Sequence, residues 1–190
     1  MAFPRLASIF SRGSRYRPFL RDFSLTLFGI ATWVPVCIFI NQHVGELTFI
    51  NGASMYPYLN TGYNNSTRKD IGYTSKWNSF HNLERGMIVT FWSPDHPEVL
   101  AVKRVIALPG DKVYTRAPYP YPTAIVPSGH VWVEGDNRDR EASKDSNYYG
   151  PISMSLITGK VTHVLYPWSS FGSVKWWEFK GKTRVIKARE

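Results

Sequence analysis

The pattern of apolar and polar positions changes character near residue 40. Phe23 to Ile40 is an uncharged run of eighteen residues, continuous and without amphipathic periodicity. As a helix rising 1.5 Å per residue it is about 27 Å long, close to the hydrocarbon thickness of a bilayer. Pro35 falls inside it, which membrane helices tolerate where neighbouring groups satisfy the freed carbonyl. From Glu46 onward the apolar segments are short, β-branched or aromatic, and bounded by Gly, Pro, Asn or Asp: Glu46 to Ile50, Met87 to Trp92, Val99 to Ile106, His130 to Val133 and Gly159 to Tyr166. These predict strands. No helical pattern of comparable strength follows Ile40, so the chain is expected to be all-β, an antiparallel barrel-like domain preceded by one N-terminal transmembrane helix.

Two stretches interrupt the strands. Asn60 to Leu83 is rich in Asn, Ser, Thr and Tyr and longer than an ordinary hairpin connection, which predicts a functional or mobile loop. Pro118-Tyr-Pro-Tyr-Pro122 is stiff and extended because alternate prolines forbid a helix. The expected organisation is a basic segment over 1–22, an anchor over 23–40, a β-rich domain over 41–168 and a basic, aromatic tail over 169–190.

Charge refines this picture. The formal net charge is +9, but it is concentrated at the ends: five arginines against Asp22 in the first 22 residues, and a lysine- and arginine-rich tail after Lys175. Nucleic-acid binding is therefore disfavoured. Arginines before an apolar span place the N-terminus on the positive-inside face and residues 41–190 on the other. A cleaved secretory signal would need small residues soon after the span, and Asn41 to Gly45 supply no A-x-A pattern. A buried soluble helix is the remaining alternative. Cys37 is the only cysteine, and the five histidines are scattered. No disulfide framework, metal site or cofactor is implied. Trp168, Phe171, Trp176 and Trp177 beside the basic tail fit lipid headgroups, a core or a partner interface equally.

Three polar clusters carry candidate chemistry. Ser54 lies in Gly52-Ala-Ser-Met-Tyr-Pro57, a Gly- and Pro-bounded turn in which Met55 and Leu59 provide apolar anchors. Such a turn can aim a hydroxyl and its own N–H at one point, as nucleophile and oxyanion donor. Lys103 lies within Val99 to Ile106, where alternation puts it on one face with Val99, Ala101 and Val105. From a reference pKa near 10.4, about one lysine in 2,500 is neutral at pH 7, and desolvation by 2–3 units makes the free base abundant. The third cluster, Gly135-Asp-Asn-Arg138 followed by Ser143-Lys-Asp145, reads either as a structural loop or as support for the lysine, with Ser143 and Asp145 orienting its amine.

In this order after a span, the segments G-x-S-M-x-P-x-L at 52–59, K-R-V-I-A-L-P-G-D at 103–111 and G-D-N-R with S-x-D-S and Y-G-P-I over 135–152 resemble the type I signal peptidase family of membrane-anchored Ser/Lys peptidases. The similarity covers residues 20–168. Gly52, Gly129 to Asp136 and Asp145 to Ile152 resemble the mitochondrial inner membrane protease branch, its second-subunit members most closely. The resemblance implies Ser54 as nucleophile, Lys103 as general base, and Gly52, Ser143 and Asp145 as oxyanion or supporting residues. It also implies precursor polypeptides bound in extended form, the lipid bilayer and a second related peptidase subunit as partners, and a β-domain in the intermembrane space. Three features depart from the family pattern. The stretch from Asn137 to Ser143 is longer, Asn147 replaces a common arginine, and Gly52 has no hydroxyl to offer an oxyanion. A catalytically silent scaffold subunit is the competing expectation.

Overall fold

The structure is a computed structural model that describes residues 16–62, 69–139, 141–181 and 183–188. Most of the basic segment expected over 1–22 lies outside the described residues, as do residues 63–68 of the 60–83 stretch. The first helix, α1, covers Tyr16–Phe39 and runs into a π-type turn at Ile40–Val44. Its apolar side chains are exposed along the whole described length, Phe28 to 70% and Trp33 to 66%, so nothing in this unit buries them. The hydroxyls of Thr26 and Thr32 donate back to the carbonyls of Asp22 and Gly29, 2.8 and 2.7 Å away. That internal satisfaction is what hydrocarbon requires of a polar side chain. Asp22–Val44 is long and apolar enough to cross a membrane.

The second unit, Gln42–Glu190, is built from β1 (Gly45–Ile50), β2 (Asp70–Ser75), β3 (Ile88–Trp92), β4 (Leu100–Ala107), β5 (Lys112–Tyr114), β6 (Thr123–Ile125), β7 (His130–Glu134), the short helix α2 (Ser146–Tyr149), β8 (Ile152–Ser153), β9 (Ile157–Tyr166), β10 (Gly172–Ser173) and β11 (Val185–Ile186). All the strand pairs are antiparallel. The main sheet runs β1-β2-β9-β3-β4-β7-β8, with β10 added to β9, and a small sheet runs β11-β5-β6. The unit is all-β as the patterning predicts, although the main sheet is a path with two ends and does not close into a barrel.

The strands expected from apolar runs are β1, β3, β4, β7 and β9, and each forms within a residue or two of its expected bounds. The polar stretch 60–83, expected as a loop, instead contributes β2. Its alternation is hidden by Gly72, which lies where a Cβ would meet Val161 and Ile50 across the sheet. The proline segment 118–122 connects β5 to β6, as a rigid connector should.

Strand β4 is the centre of the arrangement, with β3 on one side and β7 on the other. Residues opposed in register share a face. Val89 opposes Lys103 and Ile88 opposes Arg104. Lys103 therefore faces the core of Val89, Phe91, Val105 and Val133. Arg104 faces the opposite layer, where Ile88, Met55 and Leu59 pack with β9.

Candidate active site

Residues 52–60 form a tight turn whose apolar members fix it to the sheet. Met55 and Leu59 are each 1% exposed, and Leu59 N donates to Met55 O at 2.8 Å. Gly52 has φ +82°, a left-handed value that costs little only without a Cβ. Asn60 closes the turn: its Nδ2 donates to Gly52 O at 2.7 Å, and its backbone N donates to Asp70 Oδ2 at 2.6 Å. The Asp70 carboxyl is pushed above its ordinary value by burial, partly opposed by that bond from Asn60.

The segment after β7 grips this turn from the other side. Asn137 donates through its backbone N to Ser54 O at 3.0 Å and through Nδ2 to Ala53 O at 2.8 Å. Gly135 permits the approach, since a Cβ there would collide with Ser143 Oγ and lie 2.5 Å from Ser54 O. Ser143 and Asp145 come to the same point. Asp145 Oδ2 accepts from Gly135 N at 3.1 Å and Ser143 Oγ at 3.4 Å, while Oδ1 caps α2 by accepting from Asn147 N at 3.0 Å.

Lys103 completes the group. The antiparallel register pairs Arg104 with Glu134, so the next step sets Lys103 beside Gly135. Its side chain is buried. Burial lowers its pKa to about 8, against the opposing pull of the Asp145 and Asp136 carboxylates. At that value roughly a tenth of the amine is neutral at pH 7. Among the described residues no hydrogen bond joins the Ser54 hydroxyl to the Lys103 amine; catalytic hydrogen bonds of this kind can tighten only when substrate binds. The structure thus gathers Ser54, Lys103, Ser143 and Asp145 around Gly135, with Gly52 at the entrance of the turn that carries Ser54.

Sequence reasoning missed the buried polar framework beneath. Arg104 is fully buried, and its guanidinium donates to both oxygens of Asp136, at 2.8 and 2.5 Å, and to Gly86 O at 2.7 Å. Glu134 accepts from Trp132 Nε1 at 2.9 Å, Asn147 Nδ2 at 3.0 Å and Thr183 Oγ1 at 2.5 Å. Asn147 also donates to Asp145 Oδ1 at 3.2 Å, so its neutral amide links two buried carboxylates without an ion pair. The signal in the sequence was the Lys103-Arg104 doublet and Asp136 in its Gly-Asp-Asn motif, but no spacing rule connects residues 32 positions apart. A small cleft of about 40 Å³ adjoins the group and is lined by Arg116, Pro118, Gly135, Arg138, Ser143 and Tyr148 among others.

A family model described as "Signal peptidase, peptidase S26" matches residues 21–119 and 115–166. The mitochondrial inner membrane protease subunit 2 of Schizosaccharomyces pombe is 42% identical over 163 residues, covering 83% of this chain and 88% of its own. The subunit of the same name from Saccharomyces cerevisiae is 39% identical over 169 residues, 87% of this chain and 90% of its own. Mitochondrial inner membrane protease subunit 1 of Mus musculus is 37% identical over 137 residues, 70% and 77% of the two chains. Among solved structures, a signal peptidase I from Enterococcus faecalis V583 aligns at 27% identity over 44% of this chain and all of its own, with a TM-score of 0.37.

Proposed function

The chain belongs to the signal peptidase family, peptidase S26, and from that premise we propose that it is a membrane-anchored serine endopeptidase that works through a Ser54/Lys103 dyad. Its substrates are precursor proteins delivered to the mitochondrial intermembrane space, from which it removes sorting peptides. The observation that carries this reading is the buried Lys103 amine, with a pKa near 8, beside the loop that grips the Ser54 turn.

The chemistry needs no cofactor. Neutral Lys103 takes the Ser54 hydroxyl proton as Oγ attacks the scissile carbonyl, forming a tetrahedral oxyanion. The Ser54 N–H is one donor to that oxyanion. Lys103 then passes its proton to the leaving amine as the peptide bond breaks, and the acyl-enzyme remains. A water deprotonated by Lys103 attacks the ester, and the same proton returns to Ser54. Ser143 and Asp145 orient the ammonium form between these transfers, Asp145 from its fixed place at the start of α2.

The apolar segment Asp22–Val44 anchors the chain once in the inner membrane, with the β-domain in the intermembrane space. Relatives named as subunits 1 and 2 of one protease support a second, related subunit as partner. The test is mass spectrometry of precursor N-termini in cells that carry Ser54→Ala or Lys103→Met in place of the parent chain. Unprocessed precursors are expected with both variants. Normal processing with both would leave this chain a scaffold for an active partner.

A further inference from the structure

The family match ends at residue 166, yet the residues beyond it touch both sides of the candidate site. Lys175 N donates to the Tyr58 hydroxyl at 3.3 Å, and Tyr58 follows Ser54 by four positions in the nucleophile turn. The Phe179 ring centroid is 4.3 Å from the Arg104 guanidinium carbon, and that of Tyr58 is 4.5 Å from it. A ring from the tail and a ring from the turn thus cover one buried cation, whose edges are taken by Asp136 and Gly86 O. The tail is fastened on both sides of Phe179. Before it, Trp176 O packs against Gly86 so closely that a Cβ there would not fit. After it, Thr183 Oγ1 donates to Glu134, β11 pairs with β5, and Ala188 N donates to Asp111 Oδ1 at 2.9 Å.

We propose that Phe179 is a positioning residue for catalysis: by laying its ring on Arg104, the C-terminal tail locks Tyr58, Arg104 and Asp136 into one unit. That unit holds the nucleophile turn, the base strand and the 135–137 segment together. The proposal rests on the Ser54/Lys103 reading. Arg104 is the chain neighbour of Lys103 but points to the opposite face, so the tail acts on the base without touching it. A guanidinium stripped of one aromatic cover admits water beside β4 and loosens its hold on Asp136. The charged groups acting on Lys103 are Asp145, ahead of α2, and Asp136, after β7. Phe179 reaches Asp136 through Arg104.

The experiment uses the full-length chain with its partner subunit in liposomes, cleaving a membrane-tethered precursor over roughly pH 6 to 10. The parent is compared with Phe179→Leu and Phe179→Met, which fill space without a ring face, with Phe179→Tyr, which keeps one, and with Ser54→Ala. Melting temperatures are recorded for all. For the Leu and Met variants kcat is expected to fall about tenfold with KM nearly unchanged. The rising limb of the pH profile should move up by about half a unit, and Phe179→Tyr should restore both. The proposal is overturned if the Leu and Met variants keep the parent's kcat and limb while Ser54→Ala is inactive. It is also overturned if activity falls only in step with the folded fraction at an unmoved limb, or if the Tyr variant is no better than Leu. An active Ser54→Ala would instead remove the dyad on which the proposal stands.

Discussion

An amine held away from water is a liability to the fold and an asset to the chemistry. Lys103 titrates near 8 in the folded chain, against an ordinary 10.5. Between those values the unfolded chain binds the proton that the folded chain has released, so stability rises with pH across that window. Below pH 8 the buried ammonium costs on the order of 3 kcal/mol. Lys103→Met is therefore expected to stabilise the domain by up to that amount at pH 7, with the gain vanishing near pH 10.5, while abolishing turnover. Thermal unfolding at the two pH values, beside a cleavage assay, checks both halves. The parent's kcat/KM should rise with pH to a plateau above about 8. Gly135 is the second decisive residue. Gly135→Ala drives a methyl into Ser143 and the Ser54 carbonyl, so cleavage is expected to fall about a hundredfold. The loss of folding stability should be no more than about 3 kcal/mol, read from the same two measurements.

At the scale of elements, the turn after β4 shows how one carboxylate ties three segments together. Asp111 is fully buried and accepts from Arg85 in two bonds of 2.8 Å, from Leu108 N at 2.9 Å and from Ala188 N at 2.9 Å. Burial pushes its carboxyl up, but the Arg85 guanidinium and the two N–H groups outweigh that and leave it below its ordinary value. A depressed carboxylate stabilises the fold above its unfolded pKa, and that stability is lost as pH falls through the folded value. Asp111→Asn is thus expected to destabilise at pH 7 and to lessen the decline in melting temperature below about pH 4. Elements differ in how far the sequence discloses them. Strand β4 and its lysine were legible because six of the seven other residues of the strand are apolar or small, Ala101 and Val105 sharing the lysine's face. Strand β2 was not, because Gly72 interrupts its alternation and is explained by its neighbours across the sheet, Val161 on β9 and Ile50 on β1. The tail was read as a charged, aromatic end because its buried positions, Val174 and Thr183, stand singly among basic residues. The serine, lysine and third cluster were legible as a set through their motifs. Their convergence on Gly135 was not, since it depends on the β4–β7 register.

For the whole molecule, the exposed apolar helix and the polar, sheet-built unit call for two solvents. The stretch Asp22–Val44 is about 35 Å long as a helix, enough to cross hydrocarbon with some tilt. The full chain should therefore stay in the membrane pellet after alkaline carbonate extraction. An arginine in place of Leu27 or Ile30 should shift a substantial part to the supernatant, measured by immunoblot. The order of assembly carries a last consequence. Lys103 loses its water only when β3, β7 and the segment ahead of α2 have closed around it, and those pieces are separated by long stretches of chain. In the unfolded chain the same lysine is hydrated and protonated, with almost no free base. Until the sheet is complete the chain therefore has almost no free lysine base to offer, so any chemistry that depends on that base waits on the last strands to pair.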